Sequence, residues 1–96
     1  MNIKLEWDEN KNEANIQRHG IDFEDAHIIF SHPMLIKEDT RKDYGKKRMV
    51  GLGLLHNDVV VVTVFTRRIT AIRVISIRRA NRNERKIYQE KFPQQD

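Results

Sequence analysis

Residues 3–7 alternate strictly, with Ile3, Leu5 and Trp7 on one side and Lys4 and Glu6 on the other, which predicts a half-buried opening strand. Asp8 offers the short carboxylate that caps a helix start, and Gly20 the backbone freedom that ends one. A helix is therefore predicted from Asp8 to about Arg18. It is barely amphipathic, because Ala14 and Ile16 are its only apolar residues. A second helix is expected after Asp22. Phe23, Ala26, His27 and Phe30 recur there at i, i+3, i+4, i+7, one face of a helix, and Pro33 ends it.

Beyond Pro33 the period shortens to two. A short strand is predicted over 34–37 and a polar turn or loop over 40–47. Strong strands follow over 49–56 and 59–66, joined by a tight turn at Asn57-Asp58. The segment 59–65 is apolar on both faces, so it should lie centrally in a sheet. Arg67-Arg68 marks another turn, 70–77 a further strand rich in branched residues, and 79–92 a closing helix with Pro93 just beyond it. The order is β-α-α-β-β-β-β-α. Short connections between consecutive strands favour an antiparallel meander with the helices packed on one face, an α+β fold. No repeat, linker or low-complexity tract interrupts the pattern, so residues 1–96 read as a single domain.

Composition narrows the function. With 39% hydrophobic and 33% charged residues the chain is globular on the polar side, and it has no cysteine for disulfides or thiolate metal sites. The first residues show no apolar signal core, and the longest apolar run falls far short of the roughly 20 residues that span a bilayer. A soluble cytoplasmic protein with no membrane partner is expected. The net charge is +4, and its distribution says more than its size. Seven of the ten arginines lie between Arg67 and Arg85, where Glu84 is the only acid; the first 30 residues hold seven acids against three bases. This asymmetry points to a polyanionic partner for the C-terminal third, nucleic acid being the commonest.

Catalytic vocabulary is sparse. There is no phosphate-binding glycine loop, nucleophile elbow or HExxH, and neither a metal nor a cofactor is expected. His27 shares its helix face with two phenylalanines and reads as a core or boundary residue, while His32 and His56 lie beside turns. His19 follows Lys11 and Asn15 at helical spacing, a polar stripe. It is either a phosphate-contacting or acid–base group beside a lysine, or a C-capping histidine favoured by the helix dipole. Arg73 would share a strand face with Ala71, Ile75 and Ile77. A guanidinium there needs an acidic partner or an anionic ligand. Arg78 and Arg79 stand at the strand end. Ala80, Glu84 and Tyr88 form a stripe that faces the sheet, with Glu84 as an ion-pair partner of arginines or a general base. Such an inventory can cleave RNA without metal. The 2′-OH attacks the adjacent phosphate, arginines neutralise the phosphorane, and a histidine or carboxylate moves the protons.

Trp7-Asp8-Glu9 with Lys11 and Asn15, then His19-Gly20 and Phe23-Glu24-Asp25-Ala26, resembles the N-terminal signature of the BrnT toxins. Thr66-Arg67, Ile72-Arg73-Val74-Ile75-Ser76, Arg78, Ala80, Glu84 and Tyr88 resemble the second signature, and Arg48 and Gly51 an intervening one. Ile77 departs from the pattern, where a small residue is common. The resemblance implies a type II toxin–antitoxin toxin with a RelE-like ribonuclease fold that inhibits translation by cutting RNA. It also implies a BrnA-like antitoxin that wraps the toxin, with operator DNA bound only through the complex. Its matched positions are His19, Arg48, Arg67, Arg73, Arg78, Glu84 and Tyr88. Together with the local reading they give His19, Arg73, Arg78, Glu84 and Tyr88 as candidate catalytic residues, and Lys11, Arg48, Arg67 and Arg79 as candidate RNA contacts. The alternative is a non-catalytic basic nucleic-acid-binding module. A third reading takes the basic face mainly as a docking site for an acidic protein.

Overall fold

The computed structural model describes residues 4–40 and 47–93. Strand β1 is Leu5–Glu6, and helix α1 runs over Glu9–His19. The Asp8 carboxylate accepts the Asn10 and Lys11 amides, and Gly20, at φ 70°, sends its N–H to Ile16 O. A 3₁₀ turn at Phe23–Asp25 leads into α2, Ala26–Phe30. Strands β2 (Leu35–Asp39), β3 (Arg48–Leu55), β4 (Val59–Arg67) and β5 (Ile72–Arg79) follow, and α3 is Arg82–Lys91. Of the loop expected over 40–47, residues 41–46 lie outside the described residues. The β3–β4 turn puts Asn57 and Asp58 at φ 60° and 59°, left-handed backbone that these two residue types tolerate.

The α+β class follows the expected pattern, with 3₁₀ turns at Phe23–Asp25 and His56–Asp58 added to the expected order, but two features of the architecture do not. The five strands are arranged β1-β5-β4-β3-β2, and β1 pairs with β5 in parallel, so the sheet is mixed rather than an antiparallel meander. The helices also cover both faces. Phe23, Ala26 and Ile29 pack with Val61, Val74 and Ile77 on one side of the sheet, while Tyr88 of α3 packs with Val60 and Val62 on the other. The apolar character of β4 on both faces demands this, because a single helical layer leaves alternate valines in water.

Helix α1 buries asparagine. Asn12 and Asn15 point inward while Ile16 is exposed. His27 is exposed as well, with Nδ1 2.8 Å from Glu24 O, which corrects its expected place in the core or at its boundary. The 3₁₀ turn resets the helical phase, so Ile29 joins Phe23 and Ala26 inside. The last helix begins at Arg82 rather than 79, because Asn81 and Glu84 form a reciprocal capping box.

One irregularity governs the site. Val64 pairs with Ser76 but Phe65 with Val74, so Ile75 is an extra residue on β5. Val74 and Ile77 both face the α1–α2 core, and Arg73, paired with Thr66, faces the α3 side. The expectation that Arg73 shares a face with Ile77 is thereby overturned: alternation predicts that placement only for a strand without a bulge.

Candidate nucleic-acid interface

Helix α3 covers the Val60–Val62 end of its sheet face. Arg78 faces that side beside Val62, and alternation puts Arg48 and Arg73 on the same face. Arg78 makes a fork-to-fork pair with Glu84, Nη1 to Oε1 at 2.9 Å and Nη2 to Oε2 at 2.8 Å. The guanidinium holds the Glu84 carboxyl below the usual carboxylate range, more strongly than partial burial raises it. Glu84 Oε1 also accepts the Asn81 amide, so this carboxylate is an anchor with little basicity. Tyr88 is buried; its hydroxyl donates to Pro33 O at 2.9 Å, and burial pushes its ionisation upward. Arg73 lies 3.7 Å from Glu6, whose other oxygen is 3.6 Å from Arg68.

A second group lies at the open edge of β5. Strand β1 pairs only with Ile72 and Arg73. Further along, the Asn15 amide takes over: it accepts from Ile77 N at 3.1 Å and donates to Ile77 O at 2.9 Å. Between α1 and this edge lies a cleft of about 190 Å³ lined by Lys11, Asn15, Arg18, His19, Ile75 and Ser76. Its charged side chains are all basic or, for histidine, able to become so, and no carboxylate lines it.

The candidate residues therefore fall into four places. Lys11 and His19 share the cleft; Arg48, Arg73, Arg78 and Glu84 share the α3 face, with Tyr88 beneath the helix. Arg67 stands at the exposed β4–β5 turn, beside a larger cleft of about 620 Å³ that also borders Lys47, Met49 and Arg68. Arg79 is exposed at the end of β5. Ser76 bridges the first two groups: it lines the cleft, and its β4 partner is Val64, between the partners of Arg73 and Arg78. Sequence reasoning passed over Arg18, although Lys11, Asn15 and Arg18 recur at i, i+4, i+7 and so share a helix face. Among the described residues no cluster of three His, Cys, Asp or Glu side chains could hold a metal ion, and no helix is long and apolar enough to cross a membrane.

A family model described as the ribonuclease toxin BrnT of type II toxin–antitoxin systems matches residues 7–84. The chain belongs to the BrnT family. The match takes in both arginine groups and the cleft, stopping at Glu84, so Tyr88 falls outside it. A crystal structure of the Brucella abortus ribonuclease toxin BrnT is 30% identical, with a TM-score of 0.65, covering 84% of this chain and 100% of that one. No curated protein matches the chain. As a BrnT-family toxin of the type II class, it belongs with proteins that act as ribonucleases and are paired with an antitoxin.

Proposed function

We propose that this BrnT-family chain is a metal-independent endoribonuclease that inhibits translation in the cytoplasm and is neutralised by a BrnA-like antitoxin. The observation that carries the reading is the composition of the β5 edge. Lys11, Arg18 and His19 line a cleft that reaches Ser76, and Arg73 and Arg78 stand on either side of that residue along the strand. RNA lying along β5 meets positive charge on both sides. Arg73 and Arg78 hold phosphates and offset the charge of the phosphorane. The β4 partners of these arginines, Thr66 and Val62, are four residues apart, about 13 Å at the usual strand rise, so the two serve neighbouring phosphates more readily than one. His19 moves the protons, taking one from the 2′-OH or giving one to the leaving 5′-oxygen. Glu84 and Tyr88 act as positioning residues, the first aiming Arg78 and the second seating α3. Lys11, Arg48, Arg67 and Arg79 hold flanking phosphates. The antitoxin blocks the toxin by covering this arginine face, and operator DNA is bound only through the complex.

One observation favours the non-catalytic module instead. With Glu84 locked to Arg78 and Tyr88 buried, His19 is left as the main proton-transfer group. Purified protein incubated with labelled RNA in EDTA separates the two. Fragments ending in a 2′,3′-cyclic phosphate support the nuclease; intact RNA with steeply salt-dependent binding supports the module. Within the nuclease reading, an Arg73→Ala, Arg78→Ala variant that remains folded is expected to lose cleavage by at least about a hundredfold. Unchanged cleavage by that variant would remove the two arginines from the mechanism.

A further inference from the structure

A row of polar residues crosses the sheet from edge to edge. Asp39 of β2 pairs with Arg48 of β3, Thr66 of β4 pairs with Arg73 of β5, and Arg73 pairs with Glu6 of β1. The β3–β4 register ends with Met49 opposite Phe65, and one further step sets Arg48 opposite Thr66. All five residues belong to the α3 face by alternation, beyond the end that α3 covers. The order is acid, arginine, threonine, arginine, acid.

Thr66 is the anomaly in the row. It is 7% exposed, and its hydroxyl is the only buried side-chain polar atom among the described residues without a hydrogen-bond partner. Such a group has lost the hydrogen bonds that water gives it, and valine, nearly identical in shape and favoured in strands, would avoid that cost. Both neighbours across the ladder are arginines, which donate and cannot accept. Each carboxylate of the row lies outside its arginine, at the far ends. The centre of the row thus gathers hydrogen-bond donors with no acceptor assigned to the hydroxyl. A phosphate, with its non-bridging oxygens, supplies what is missing.

We propose that Thr66, flanked by Arg48 and Arg73, is the floor of a seat for one phosphate of the bound RNA. The hydroxyl donates to a non-bridging oxygen, and the two guanidinium groups close on the others. Glu6 holds Arg73 from outside, and Asp39 stands beside Arg48 in the strand pairing. The hydroxyl is shielded from solvent, so the seat opens by movement of side chains around it, with Arg48 and Arg73 only partly buried. The assignment of this anion to RNA rests on the nuclease reading above.

Thr66→Val separates a ligand contact from a structural defect, because the two predict opposite pairs of outcomes. As a seat, the variant is at least as stable to urea as the parent but cleaves RNA at least about tenfold more slowly. It also binds a 2′-deoxy, non-cleavable RNA more weakly. Thr66→Ser, which restores the hydroxyl, recovers most of the lost cleavage. Wild-type cleavage by folded Thr66→Val overturns the seat and leaves the nuclease reading intact. Reduced affinity for the antitoxin with unchanged RNA binding overturns it in favour of a carboxylate of the protein partner. A parent chain that neither binds nor cuts RNA overturns both readings together.

Discussion

Asn15 does for β5 what a neighbouring strand would do. Its amide accepts from Ile77 N and donates to the carbonyls of Ile77 and Ile21, and the side chain is buried. Asn12, one turn earlier, accepts from Phe23 N at 2.8 Å and donates to Asp22 at 3.0 Å. The capped Glu24 amide, and then Asn12, hold the Asp22 carboxyl below its ordinary value. Two asparagines thus fasten a helix that has almost no apolar face. Replacing Asn15 by alanine strands a buried N–H and carbonyl of β5 and is expected to cost about 2–4 kcal/mol, read from urea unfolding. A loss below about 1 kcal/mol would mean that water takes over the edge. The asparagines were visible in the sequence, but a polar residue on a helix reads as surface until its partner is known. Here that partner is a strand 62 residues away.

At the scale of elements, α3 depends on few attachments. The Arg78–Glu84 pair ties its first turn to β5, the capping box starts it, and the Tyr88 hydroxyl fixes its middle to Pro33. Glu84 makes the first attachment pH-dependent. Its carboxyl is depressed in the folded chain, so the stabilisation is fully present above the unfolded value of about 4.3 and is lost as pH falls through the folded one. Urea midpoints at pH 7 and pH 3 should therefore differ more for the parent than for Glu84→Gln. Equal differences would show that the pair contributes nothing to acid sensitivity. Strand periodicity and the helix start and stop signals were legible in the sequence because they are local. The parallel return of β1 to β5 was not, since two residues carry no pairing preference over 60 intervening positions. The bulge at Ile75 was equally hidden, as a branched residue in a strand gives no sign that it is supernumerary.

Over the whole molecule, the same bulge decides how much of the arginine charge is available to a polyanion. It turns Arg73 to the face shared with Arg78, whereas plain alternation had put it with Ala71, Ile75 and Ile77. Seven arginines between positions 67 and 85 suggest an intense field, but several are already engaged. Arg78 is paired with Glu84, and Arg68 and Arg73 share Glu6. Arg82 and Arg85 project from α3, and Arg85 reaches back to the Ala80 carbonyl at 3.0 Å. With Arg82 and Arg85 turned outward on α3, the charge that RNA meets lies along β5, the β4–β5 turn and the α1 cleft, reduced at Arg73 and Arg78 by their acidic partners. Counterion release then sets a measurable limit. Five phosphates on a single strand, held by Lys11, by Arg48 with Arg73, and by Arg67, Arg78 and Arg79, give a slope of about −3.5 in log affinity against log salt, whereas two more at Arg82 and Arg85 would give about −5. Arg67→Ala should reduce the slope by about 0.7, and an Arg82→Ala, Arg85→Ala variant should leave it unchanged. Binding of a non-cleavable RNA between 50 and 200 mM salt measures all three. A slope near −5 that falls when Arg82 and Arg85 are replaced would move the RNA path from the β5 edge onto the outer side of α3.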